Sequence, residues 1–254
     1  MSFDVSTAAY GRFMGRYSEP LAVAFADAAD VRRGQSALDV GCGAGALTAV
    51  LVERLGAGSV RAIDPSPAFV AAVPERLPGV EVRLGTAEHL PYADGFVDLT
   101  LAQLVVHFMS DPVAGLAEMA RVTAPGGTVA ATVWDHAGGQ GPLAVFWRAA
   151  RDLDPSTADE SHLPGVAEGH LAQLFADAGM AGGRSSTLVV RVEHPSFDEW
   201  WDPFTLGVGP AGEHVAALDE SGRAALRERC RTLLPSAPFV VAASAWTVVW
   251  TKPG

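Results

Sequence analysis

The sequence predicts a doubly wound α/β fold, and three observations carry that expectation. Short β-type runs alternate with helical segments through the first half of the chain, two of those helices have marked starts, and glycines close the first strand. Alternation of this kind implies parallel β-α-β units with right-handed crossovers, hence an open sheet covered on both faces.

The first strand is Ala37–Val40. Residues 60–63 form a second that ends at Asp64, 80–84 a third, 97–101 a fourth and 128–134 a fifth. Between them, residues 47–55, 67–77 and 112–122 carry apolar side chains at helical spacing. Ser66-Pro67 and Asp111-Pro112 each place an N-cap residue before a proline at the first helical position, where its missing N–H leaves no bond unmade. The second half differs. Residues 185–192 and 239–250 read as strands, and the long segment between them is mostly helical, including 197–201 and 224–234. Another insertion, about 138–169, follows the fifth strand. Long connections at the carboxyl end of a sheet are held around its crevice by the scaffold and commonly carry function. No internal repeat, low-complexity tract or separating linker breaks the chain.

A chain of 254 residues buries a full core without disulfides or metal. Its 18 basic and 29 acidic side chains give a formal charge of −11, which argues against a nucleic-acid-binding face and against docking on an anionic membrane. Cys42 and Cys230, at no metal-ligand spacing, point to a reducing compartment and to neither a disulfide scaffold nor a zinc site. The first residues are polar, without a signal-peptide core, and the longest apolar stretch, 239–250, is too short to span a bilayer. The expectation is a soluble, cytoplasmic protein, monomeric or homodimeric, whose partner is a small molecule.

Asp39-Val40-Gly41-Cys42-Gly43-Ala44-Gly45 sits at a strand end and opens a helix. Glycines there let the backbone turn sharply and approach a ligand, while free amides at the helix start present positive dipole. Asp64 ends the next strand 19 residues after Gly45, the distance at which an acid binds both ribose hydroxyls of an adenosine. Together they indicate an adenosine-containing cofactor. The loop alone also fits a dinucleotide fingerprint, with Ala46 at its last position. Three details tilt the choice. Asp39, two residues before the first glycine, would hold an ammonium group and repel a pyrophosphate. Gly45 widens the loop for an amino-acid tail. Ala124-Pro125-Gly126-Gly127 forms a tight turn before the fifth strand.

In their order, residues 38–48, Ala62-Ile63-Asp64-Pro65-Ser66, Gly85-Thr86-Ala87-Glu88-His89-Leu90-Pro91, Phe96-Val97-Asp98 and Pro125-Gly126-Gly127 resemble the motifs of class I S-adenosylmethionine-dependent methyltransferases. The nearest likeness is to the ubiquinone/menaquinone-type small-molecule branch, over about residues 36–135. The resemblance implies a Rossmann-like sheet of seven strands, mostly parallel with an antiparallel last strand that 239–250 would supply, and helical cap insertions. It divides the chain into an N-terminal helical lid (1–35), a cofactor-binding core (36–137) and a remainder (138–254) with cap insertions at about 138–169 and 194–235. It implies S-adenosyl-L-methionine as cofactor and methyl transfer to a small, aromatic or lipophilic acceptor. Asp39, Gly41, Cys42, Gly43 and Gly45 would hold the methionine end, Asp64 the ribose, and Pro65 and Ser66 the adenine wall. Thr86 stands where the family usually has an aspartate for the adenine amino group, with the Ala87 amide and Glu88 beside it. Gln103 would line the sulfonium side. Arg16 and Tyr17, on a lid helix with Tyr10, Phe13 and Met14, would face the methionine carboxylate and the sulfonium; that spacing equally makes a core stripe.

Methyl transfer needs a general base only where the nucleophile must lose a proton, and His107 and His136, after the fourth and fifth strands, are the candidates. His89, His162, His170, His194 and His214 read as ordinary loop or surface histidines. Trp134, Trp200, Trp201 and Phe204 would wall an acceptor chamber, or else pack a cap core. A nicotinamide-dependent oxidoreductase and a non-catalytic cofactor-binding module are the alternatives.

Overall fold

The computed structural model describes residues 11–254, so Tyr10 and the start of the expected lid lie outside the described residues. A helix α1 (Arg16–Ala28) precedes the alternating half: β1 (Ala37–Val40), α2 (Ala46–Leu55), β2 (Val60–Asp64), α3 (Pro67–Arg76), β3 (Glu81–Leu84), β4 (Val97–Gln103), α4 (Pro112–Val122) and β5 (Thr123–Trp134). After it come α5 (Ala144–Leu153), α6 (His170–Asp177), β6 (Arg184–His194), α7 (Phe197–Trp201), α8 (Gly209–Ala217), α9 (Glu220–Leu233) and β7 (Phe239–Thr251). The seven strands run β3-β2-β1-β4-β5-β7-β6. β1 to β5 are mutually parallel, and β7 lies between β5 and β6, antiparallel to both. The expected sheet is present, with the antiparallel last strand second from one edge.

Local chemistry accounts for the boundaries. Asp111 caps α4, its Oδ1 accepting from Ala114 N at 3.0 Å. Lys252, the one lysine of the chain, closes the other end of α4, donating to Ala120 O and Thr123 O at 2.8 and 2.7 Å. Ser66 makes no side-chain cap; its amide instead donates to Asp64 Oδ1. β5 starts five residues before the expected 128, because Thr123 already pairs with Val97 before the Pro125-Gly126-Gly127 segment bulges away.

Both sheet faces are covered. On one, α4 and α6 bring Leu116, Met119, Leu174 and Phe175 onto Val129, Ala131 and Val133. On the other, α1 packs Ala22, Phe25 and Ala26 with Leu47, Leu51 and Leu99, and sets Tyr17 and Leu21 against Val190 and Trp134. A separate aromatic core holds the cap together, built from Phe146 and Trp147 of α5, Trp200 and Trp201 of α7, Phe204, Leu226 of α9, and Phe13. Among the described residues no helix is long and apolar enough to cross a membrane.

Candidate functional site

The sheet order reverses between β1 and β4, which opens a crevice at the carboxyl ends of those strands. A cleft of about 1120 Å³, part of it open to solvent, fills that crevice and runs on beneath the cap.

Its first wall is the turn after β1. Gly41 N and Cys42 N donate to Ile63 O at 2.8 and 3.1 Å, which ties the loop to the end of β2. Asp64 fastens the same loop from the other side: its Oδ2 accepts from Gly43 N and its Oδ1 from Ser66 N, both at 2.8 Å. Burial raises this carboxyl above the ordinary carboxylate range, with the Gly43 and Ser66 amides opposing. Gly41 and Gly43 are left-handed, at φ +71° and +52°. A Cβ on Gly41 would lie 2.4 Å from Val105 Cγ2, whereas one on Gly43 would meet nothing within 4 Å. The first glycine is required by packing; the second faces open space.

Asp39 lies under this loop, 1% exposed, with Oδ2 accepting from Thr48 Oγ1 at 2.6 Å. Burial pushes its carboxyl up to about 7, against the Thr48 hydroxyl, which lowers it. The second wall comes from the end of β4. Leu104 takes φ +61°, rare for a leucine, and turns the chain so that Val105 presses on Gly41 and His107 enters a short turn, Val106–Phe108. Gln103 donates from Nε2 to Ser18 O at 2.9 Å, pinning α1 to the sheet. His107 and His136 stack edge to face at 6.0 Å. Burial, with His136 adding to it, pulls the His107 ring down to about 3, and burial brings His136 to about 4. Three buried polar atoms on this wall, Gln103 Oε1, His107 Nδ1 and Trp134 Nε1, meet no partner among the described residues. Phe13, Met14, Leu143, Glu160 and Val208 close the cleft from the cap side.

The cleft therefore gathers Asp39, Gly41, Cys42, Gly43, Asp64, Pro65, Gln103, Trp134, His107 and His136 from the expected set. Other candidates sit elsewhere. The Gly45 Cβ direction points to Val73 of α3 and to Leu77 just beyond it, so that glycine serves its φ of +83° at the start of α2 and does not widen the loop. Thr86 is exposed, Ala87 packs below Gly115, and Glu88 Oε1 accepts from Ser110 N at 2.9 Å, joining two loops beside the cleft. Trp200, Trp201 and Phe204 are cap core: Phe204 stacks on Phe146 at 4.6 Å and lies 4.8 Å from Trp200. Arg16 and Tyr17 do not line the cleft. Tyr17 Oη meets His194 Nε2 at 2.9 Å, Arg16 Nη1 meets His194 Nδ1 at 2.9 Å, and Glu199 pairs with both Arg16 and His194. This corrects the reading of His194 as a surface residue, since it is 1% exposed at the end of β6. Its signal was the alternation of Leu188, Val190, Val192 and His194 along one strand.

Left-handed glycines, two buried carboxylates and three polar atoms unpaired among the described residues thus line one cleft. A methyltransferase domain family matches residues 38–131. A methyltransferase of Mycobacterium bovis is 38% identical over 135 residues, 53% of this chain and 52% of that protein. A methyltransferase of Mycobacterium sp. (strain JLS) is 31% identical over 190 residues, 72% of this chain and 74% of that protein. Among the first curated relatives, the match spans about half of their length, 46% and 52%. The solved structure of a geranyl diphosphate methyltransferase in complex with SAM has the same fold, with TM-score 0.52 at 15% identity over 94% of this chain and 86% of that one. The chain belongs to the class I S-adenosylmethionine-dependent methyltransferases.

Proposed function

We propose that this protein transfers a methyl group from S-adenosylmethionine to a small aromatic or lipophilic acceptor. The observation that carries the reading is one continuous cleft, with two buried carboxylates and a glycine turn at one end and apolar cap side chains at the other. In this reading Asp64 receives the ribose hydroxyls on oxygens already fixed by two backbone amides. Asp39 and the turn from Gly41 to Gly43 take the amino-acid end, Pro65 lies along the adenine, and Gln103 and His107 border the sulfur. The cofactor supplies an activated methyl group, so the protein contributes orientation and a dry chamber, worth ~7–11 kcal/mol when alignment is good. A His107 ring held near 3 is uncharged at neutral pH and does not repel a sulfonium. It is also a weak base, which favours a packing role over proton removal.

Calorimetry with S-adenosylhomocysteine tests the proposal. Saturable micromolar binding is expected, lost in Asp64→Ala and Gly43→Val; absence of binding to the unaltered protein would end it. The same titration with NADH separates the oxidoreductase alternative, which Asp39 disfavours because a diphosphate on this turn would face a buried carboxylate.

A further inference from the structure

Glu160 is a buried acid that the cofactor does not need. It starts a short turn, Glu160–His162, in the insertion after β5, is 6% exposed and lines the cleft. The turn is built to hold it. Asp159 caps it, with Oδ1 accepting from Ser161 N at 3.0 Å and from Ser161 Oγ at 2.6 Å, and Arg151 of α5 pairs with Asp159. Trp147, one turn earlier on α5, donates from Nε1 to Glu160 Oε2 at 2.9 Å. One carboxylate oxygen is thus tied to the cap.

This acid belongs to the part of the chain that follows β5 and lines the cleft from the cap. The loops that would hold the nucleoside and amino acid follow β2 and β1; Gln103 and His107 follow β4; Trp134, His136, Leu143 and Glu160 follow β5. Along the carboxyl edge these strands are consecutive, so moving from β2 to β5 leads from Asp64 past Asp39 to Trp134 and His136, and Glu160 lines the same cleft from the insertion that follows them. Phe13, Leu143 and Val208 give the same cleft apolar lining, and the titratable neighbour of the Glu160 carboxyl is His162. A carboxylate in such surroundings is costly to keep without a ligand that donates to it.

We propose that Glu160 recognises the acceptor, that the acceptor is a neutral aromatic molecule carrying a hydroxyl group, and that Glu160 takes the hydroxyl proton during transfer. The inference rests on the methyltransferase reading above. In the step, the acceptor oxygen forms a bond to the methyl carbon as the carbon–sulfur bond breaks and leaves its electron pair on sulfur. The hydroxyl proton passes to Glu160. The products are a methyl ether, a neutral thioether and a protonated carboxyl group, so charge and atoms balance. Burial holds the Glu160 carboxyl above its ordinary value, opposed by the Trp147 indole and by His162, which suits an acid that must accept a proton.

The test is calorimetry on protein saturated with S-adenosylhomocysteine, using 2-naphthol and 2-methylnaphthalene as probes. The pair differ in one hydroxyl on the same ring system. Unaltered protein should bind the naphthol roughly tenfold or more tightly, as expected for a hydrogen bond to a charged group. Glu160→Gln keeps an oxygen for the Trp147 indole, so its melting temperature and S-adenosylhomocysteine affinity should stay unchanged while the preference for naphthol collapses. Equal binding of the two probes, binding of neither, or a preference that survives in Glu160→Gln would overturn the proposal. Failure of S-adenosylhomocysteine itself to bind would instead remove the reading beneath it. Melting temperature separates the remaining outcome: a Glu160→Gln protein that binds both probes poorly and melts early marks the acid as structural, and that too overturns the assignment.

Discussion

Asp39 shows how a residue suited to a ligand burdens the empty protein. Its carboxyl stands near 7 in the fold against 3.8 as a free group, so the folded state binds the extra proton between those values. Stability from this group is fully present below 3.8 and falls as pH rises to about 7, a loss of up to roughly 4 kcal/mol. Asp39→Asn should therefore melt later than the unaltered protein at pH 8, with little difference at pH 4, as read by thermal unfolding. It should also bind S-adenosylhomocysteine far more weakly. In the proposed role a ligand ammonium would select ionised Asp39, so affinity should drop about tenfold per unit as pH falls below 7. A flat calorimetric profile between pH 7 and 5.5 would count against that role. The two loop glycines separate packing from binding. Gly41→Ala drives a Cβ into Val105 and should lower both melting temperature and affinity. Gly43→Ala has room in the protein and carries only a left-handed cost of about 1–2 kcal/mol, with the loss concentrated in ligand binding. The motif spelled out these residues, because glycine at a turn and acid at a strand end are marks of local backbone geometry. Glu160 left no such mark. An acid in a loop with Asp159, Ser161 and Pro164 reads as solvated until α5 folds over it and supplies the Trp147 indole.

At the scale of elements, α1 is fastened at one face by packing and at its start by polar contacts. Phe25 and Ala26 are fully buried against α2, Gln103 holds the Ser18 carbonyl, and Arg16 and Tyr17 reach His194 and Glu199 across β6 and α7. Tyr17→Phe removes the group facing His194 Nε2 inside the fold and should cost about 1–3 kcal/mol. Hydrogen exchange should then rise first in α1, and S-adenosylhomocysteine affinity should fall although Tyr17 does not line the cleft. Exchange unchanged in α1 would show that the aromatic and aliphatic packing alone docks this helix. The alternating half of the chain was readable to within a residue or two except at the start of β5, since β1, α2 and α4 each carry their own period and punctuation, whereas the pairing of Thr123 with Val97 is set by the neighbouring strand. The cap was harder to place. Trp200, Trp201 and Phe204 could be seen to be apolar, but whether they face a ligand or one another depends on where Phe146 and Leu226 arrive from distant parts of the chain.

Over the whole molecule, acid sensitivity should follow the buried histidines. His107 and His136 fold as neutral rings near 3 and 4, below their ordinary 6.5, so their stabilising preference is complete above 6.5 and is lost as pH falls through that window. At pH 5 the share lost through His107 is about 2 kcal/mol. Urea unfolding at pH 7.5 and 5 should show a smaller drop for His107→Gln than for the unaltered protein; an equal drop would place the sensitivity elsewhere. Topology sets a second global property. Among the described residues β7 alone pairs with β6, and Tyr17 and Leu21 of α1 pack against Val190 of β6. A nascent chain emerging from the ribosome can assemble β1 to β5 in order, but it has no seat for β6 until residues 239–251 are released. The start of α1, where Tyr17 meets His194 at the end of β6, is therefore completed only once β7 arrives, and a translation pause before β7 would leave that corner of the fold open.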